Sequence, residues 1–94
     1  MLEINKARAY QLSGTVTLKN ILNEAYFILD SATGKQYDLT EMEYDIVSLI
    51  DSGAVFTEVV AQIASEYSAP MEQITADLEE YFASLLNAGI IIES

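Results

Sequence analysis

The sequence predicts an α+β domain, with a small antiparallel sheet first and three helices after it. Three observations carry this. Apolar and β-branched runs separated by turn residues fill 15–39, a helix-capping signal stands at Thr40, and from there to residue 88 the apolar residues recur at helical spacing. Strands followed by helices, rather than alternating with them, place the helices on one side of an antiparallel sheet. Two or three strands are not stable alone in water, so the helices must cover one face.

Residues 1–14 mix polar and apolar types with weak periodicity and are expected to form a loose arm, with the folded domain at 15–94. The run TVTLK at 15–19 alternates and is β-branched, so it reads as a strand. Asn20 and Asn23 flank Ile21-Leu22 and signal a turn nearby. AYFIL at 25–29 is a second strand, nearly continuous in apolar residues. Asp30 to Gly34 then form a hairpin loop, in which Gly34 takes a positive φ without steric cost and Asp30 bonds the turn backbone. KQYDL at 35–39 returns as a third strand, with Tyr37 and Leu39 on one face and Gln36 and Asp38 on the other. That strand is expected at the edge of the sheet, where an extended peptide can add as a further strand.

Thr40-Glu41-Met42-Glu43 fits the capping box, in which a threonine hydroxyl and a glutamate carboxylate satisfy free backbone N–H groups. The helix it opens carries Met42, Ile46, Val47, Leu49 and Ile50 and stops at Gly53. A second helix is expected from an N-cap at Thr57, with Val59, Val60, Ile63, Ala64 and Tyr67 on its apolar side. Pro70 suits the first turn of a third and longest helix, over 70–88. Its stripe is Met71, Ile74, Leu78, Tyr81, Phe82, Leu85 and Leu86, and Gly89 ends it. Ile90, Ile91 and Ile92 form an apolar tail expected to pack back on the core.

At 94 residues and 51% hydrophobic content, the chain suits one domain with a modest core. Cysteine is absent, which excludes a disulfide framework, a thiol nucleophile and a thiolate-held metal, and fits a reducing cytoplasm. With no histidine either, the common catalytic constellations are missing, and no glycine-rich phosphate loop or calcium loop is present. The chain therefore reads as a binding module without cofactor or metal, not as an enzyme. Its net charge of −11, from 4 basic and 15 acidic residues, repels nucleic acid and acidic membranes and steers basic partners toward it. The triplet Asp51-Ser52-Gly53 resembles the Asp-Ser-Leu of small acyl-carrier proteins, but it stands at a helix end rather than a helix start and reads as a turn.

An ordered set of residues carries a resemblance. Ile28-Leu29-Asp30-x-x-Thr33-Gly34-x-x-Tyr37-x-Leu39 is followed by Ile46-x-x-Leu49-Ile50-Asp51-x-Gly53 and by Glu58-Val59-x-x-x-Ile63-Ala64-x-x-Tyr67. Ile74-x-x-Asp77-Leu78-x-x-Tyr81-Phe82-x-x-Leu85-x-x-x-Gly89-Ile90-Ile91 completes it. Over 15–92 the chain resembles the PqqD-like family. The resemblance implies a winged-helix-like fold of three strands and three helices. It also implies a non-catalytic recognition element that captures the leader segment of a ribosomally made precursor peptide. The leader adds to the third strand, against the third helix. The partner would be a radical-SAM enzyme, as in pyrroloquinoline quinone assembly, or a leader protease and cyclase, as in lasso-peptide assembly.

Carried onto this chain, the expected groove has Lys35, Gln36, Tyr37, Asp38 and Leu39 on its strand side. Asp77, Leu78, Tyr81, Ser84 and Leu85 stand on its helix side, with Asp77 and Glu80 placed to receive basic residues of a leader. Which of Leu78, Tyr81, Phe82 and Leu85 face the groove is open at this point. Many members have Asn-x-Thr where this chain has Thr40-Glu41-Met42, which leaves the subfamily, the peptide and the enzyme open. Two other readings stand beside this one: a homodimerising interaction module, and a winged-helix DNA binder, which the acidic charge disfavours.

Overall fold

The computed structural model describes residue 4 and residues 6–93. Its elements run β1 (Tyr10–Leu12), β2 (Val16–Ile21), β3 (Ala25–Asp30), β4 (Lys35–Leu39), α1 (Glu41–Asp51), α2 (Phe56–Glu66), α3 (Met71–Asn87) and β5 (Ile91–Glu93). The predicted α+β architecture is present: β2, β3 and β4 form a three-stranded antiparallel sheet in that order, and the three helices follow. The alternation of each strand decides its faces. Val16, Ile28 and the half-buried Leu18, Tyr37 and Leu39 turn toward the helices, while Thr17, Lys19, Gln36 and Asp38 face outward. The helices answer with Ile46, Val47 and Ile50 from α1, a nearly continuous buried stripe from α2, and Ile74, Leu78, Phe82 and Leu85 from α3.

The expected loose arm is corrected at its C-terminal end. Residues Tyr10–Leu12 pair with Ile91–Glu93 as a second, two-stranded sheet, in the register Tyr10↔Glu93, Gln11↔Ile92 and Leu12↔Ile91. Tyr10 is 1% exposed and meets the Phe82 ring edge-on, with centroids 5.8 Å apart. The apolar tail is therefore a strand; Ile90 and Ile91 reach the core as expected, while Ile92, on the opposite face of the strand, is exposed. Just before β1, Lys6 pairs with Glu79 of α3 and lies over the Phe56 ring, and Arg8 pairs with Glu93.

The capping box forms as predicted: Glu43 N–H donates to the Thr40 hydroxyl, and Thr40 N–H donates to the Glu43 carboxylate at 2.8 Å. The start of α2 differs from the expected cap at Thr57. The helix begins at Phe56, because the Glu58 carboxylate takes the Val55 N–H at 3.0 Å and Phe56 is drawn into the core. The end of α3 is set by Gly89, whose φ of +74° allows Gly89 N–H to reach the Leu86 carbonyl and Ile90 N–H the Leu85 carbonyl. This turn brings the chain back under the sheet at Ile90. The triplet Asp51-Ser52-Gly53 is the end of α1, with the Ser52 hydroxyl donating to the Leu49 carbonyl.

The β2–β3 turn holds both Leu22 and Asn23 at positive φ (+53° and +57°), the φ pattern of a type I′ turn. Asn20 and Asn23 brace it through side-chain hydrogen bonds at 2.9 Å. Leu22 has no such reason to be there: it is 84% exposed, so its side chain contributes no packing to offset the strained backbone. Leu22→Asn is expected to stabilise the protein by about 0.5–1 kcal/mol, because asparagine enters this region at lower cost. Thermal unfolding checks this, and an unchanged or lower midpoint would show that the leucine is held by contacts.

Candidate functional site

Strand β4 is an edge. β3 pairs with one side of it, from Tyr26↔Leu39 to Asp30↔Lys35, and among the described residues no strand pairs with the other. In an antiparallel ladder, successive residues point their N–H and C=O groups alternately to the two sides. Alternate residues of β4 thus present unpaired backbone groups along the free edge. The side chains also alternate: Tyr37 and Leu39 turn in, while Gln36 and Asp38 stay exposed and bond each other, Nε2 of Gln36 donating to Oδ1 of Asp38.

Between this edge and α3 runs an open groove with a cavity of about 290 Å³. Its apolar surface comes from Ile28, Tyr37 and Leu39 on the sheet side and Leu85, Ala88 and Ile90 on the other. Polar residues are few: Asp38, Ser84, Glu43 from α1, and Tyr81. A shallower depression continues past Tyr81 and Ser84 to Asp77 and Glu80. The structure thus brings together Tyr37, Asp38, Leu39, Tyr81, Ser84 and Leu85, with Asp77 and Glu80 at one lip.

Three sequence-predicted residues, Leu78, Lys35 and Gln36, do not line it. Leu78 is 2% exposed and belongs to the core, because its position on α3 points at the other helices rather than at β4. Phe82 is buried in the same way, against Tyr10 and Phe56. This answers the question left open above: Tyr81 and Leu85 face the groove, and Leu78 and Phe82 do not. Lys35 and Gln36 stand exposed on β4 without lining the cavity. Sequence reasoning missed Ile28, Glu43, Ala88 and Ile90 as groove residues. Glu43 was legible only as a helix cap, and its second position, facing the groove, depends on α1 lying beside β4.

The Tyr81 hydroxyl is closed to solvent and has no hydrogen-bond partner among the described residues. Burial pushes its pKa up, and the nearby Glu43 carboxylate pushes it further in the same direction. Tyr67 is also raised, first by the hydrogen bond its hydroxyl donates to Asp45 Oδ2 at 2.6 Å and then by burial. That bond ties the end of α2 to α1. Both tyrosines hold their protons more tightly folded than unfolded. Their contribution is fully present below the ordinary tyrosine value of 10.0 and is lost as pH rises above it. Urea unfolding is therefore expected to show a falling midpoint above about pH 10, and Tyr67→Phe to flatten that fall. A wild-type midpoint independent of pH up to 11 or so would contradict this.

No group of side chains among the described residues is arranged to hold a metal ion, and no described helix is long and apolar enough to cross a membrane. The family model for coenzyme PQQ synthesis protein D (PqqD) matches residues 25–91. The chain belongs to the PqqD family. Its similarity to solved structures extends over nearly the whole domain. One, described as TbiB1 in complex with the TbiA(beta) leader peptide, is 26% identical with a TM-score of 0.79, over 86% of this chain and 93% of that one. Another, lasso peptide synthetase B1 complexed with the leader peptide, is 19% identical at the same TM-score, over 88% and 96% of the two chains, and shows the shared fold. A search of curated proteins found no match. The groove is where this PqqD-family chain has an open sheet edge and an apolar cleft side by side.

Proposed function

We propose that this PqqD-family domain captures the leader segment of a ribosomally made precursor peptide and presents it to a modifying enzyme. The observation that carries the reading is the unpaired edge of β4 running along an apolar groove against α3. An added strand gains main-chain hydrogen bonds from the edge, and alternate side chains find the cleft. Among the described residues the edge of β2 is also open, but the groove runs beside β4 and α3. Two solved structures of the same fold, each described as holding a leader peptide, support the reading. The partner would be a radical-SAM enzyme or a leader protease with its cyclase, meeting the domain in the cytoplasm. The domain itself would supply recognition and no chemistry.

The test is a nitrogen-edited NMR titration with the leader of a precursor encoded beside this gene. Shifts clustered on Tyr37–Leu39 and on Asp77–Leu85 are expected. No movement at millimolar peptide overturns the reading, and a concentration-dependent dimer that fills its own groove would then take its place.

A further inference from the structure

Strand β3 is apolar on both faces, and the helices cover only one of them. Ile28 turns toward the helices, while Ala25, Phe27 and Leu29 turn the other way. A strand with one solvated face ordinarily alternates apolar with polar residues, and a continuous apolar run belongs to a strand packed on both sides. Phe27 takes no part in the core, Leu29 is 38% exposed, and Ile21, beside Ala25 at the end of β2, is 49% exposed. The register sets this outer face in rows across the sheet. Lys19, Phe27 and Asp38 form one row, and Thr17, Leu29 and Gln36 the next. Lys19 makes no ion pair among the described residues, and the Asp38 carboxylate accepts from the neutral Gln36 amide. The face carries one base and one acid, so it is formally neutral in a chain of net charge −11. A second copy approaches it without the repulsion that the remaining charge creates.

We propose that two copies of this chain pair through the outer faces of their sheets, about a two-fold axis lying along β3. An axis in that direction exchanges the two flanks of each row. Phe27 then meets Phe27 of the second copy, Leu29 its Leu29, Lys19 its Asp38, and Asp38 its Lys19. An axis across the strands would instead set Lys19 on Lys19 and Asp38 on Asp38, which like charges oppose. The strand directions of the two sheets stay within about 30° of each other, the aligned class of sheet packing. Three strands at about 4.8 Å spacing and six residues at about 3.3 Å each give a face of roughly 14 by 20 Å. That is well below the about 800 Å² per partner of a stable complex, so the pairing is weak and concentration-dependent. Face-to-face packing uses no strand edge. The free edge of β4 and the groove stay open in the pair, and the inference does not depend on the leader reading.

The experiment is sedimentation equilibrium of the full chain at concentrations up to about 1 mM. Salt at about 0.15 M screens the general repulsion between two acidic chains. The wild type is expected to pass from monomer toward dimer across this range. Phe27→Thr keeps a strand-forming residue outside the core, so it is expected to melt near the wild type and to weaken pairing at least about tenfold. Lys19→Glu and Asp38→Lys each set like charges opposite one another, and each alone is expected to stay monomeric. Mixed in equal amounts, they are expected to form a one-to-one dimer, because every charge at residues 19 and 38 of one then faces its opposite on the other. Mixing does not repair a folding defect, so it separates pairing from damage. If the wild type stays monomeric at about 1 mM, if Phe27→Thr pairs undiminished, or if the mixed charge variants do not pair, the inference is overturned. Loss of modifying-enzyme binding in Phe27→Thr, with the wild type monomeric, would give the face to that enzyme and overturn self-pairing.

Discussion

Tyr10→Ala is expected to remove about 3–5 kcal/mol of folding stability, the usual cost of deleting a large buried aromatic. The residue is 1% exposed, packs edge-on against Phe82, and anchors the strand that pairs with Ile91–Glu93. A domain of this size has roughly 5–15 kcal/mol in total, so the variant would lie near the limit of folding. The loss has two parts. One is the cavity left beside Phe82, and the other is the loosened β1–β5 pair, which positions Ile90 under the groove. Urea unfolding of the variant measures the sum. A loss below about 1 kcal/mol would mean that residues 10–12 are peripheral after all.

The second large effect concerns the free edge. Proline lacks the N–H and is tolerated only where that group pairs with nothing. Gln36 and Tyr37 are neighbours on β4, so one directs its N–H to β3 and the other to the open side. Of Gln36→Pro and Tyr37→Pro, one is expected to break a rung of the sheet and lower stability. The other should fold as before and bind the leader at least about tenfold more weakly, since a lost hydrogen bond and an unpaired leader carbonyl together exceed 1.4 kcal/mol. Calorimetry and thermal unfolding of the two variants make the comparison. Undiminished leader affinity in both, with the fold intact, would remove strand addition as the mode of binding.

The contrast between these two sites shows what the sequence displays and what it hides. Features written within a few residues are legible. The Thr40–Glu43 box, the Gly34 turn and the Gly89 helix end all appear where local chemistry places them. The alternation in KQYDL gives the faces of β4 correctly. Tyr10 is different, because its strand has three residues and its partner lies at the far end of the chain. No local pattern reports such a pairing, and a lone aromatic among polar residues looks like an arm.

The groove was half legible for a related reason. The 3.6-residue period marks Ile74, Leu78, Tyr81, Phe82 and Leu85 as one broad stripe, but it does not say which border of the stripe meets the sheet. Only the position of β4 separates Tyr81 at the wall from Leu78 and Phe82 in the core. Glu43 illustrates the converse, since a residue explained by its helix cap also lines the groove, a position that only tertiary packing reveals.

The antiparallel pairing of Tyr10 with Glu93 also fixes how the domain answers a pull. The chain enters and leaves at the same end of this two-stranded ribbon. Tension applied between the two ends therefore loads its hydrogen bonds one after another, like a zipper, and never all together in shear. Once the Lys6–Glu79 pair and the Ala9–Val55 bridge ahead of it give way, the ribbon should peel at low force, releasing Tyr10 from Phe82, while the three-stranded sheet with the free edge of β4 lies outside the line of load. A partner tethered through either end would thus strain the floor of the groove at Ile90 before it disturbed the free edge of β4.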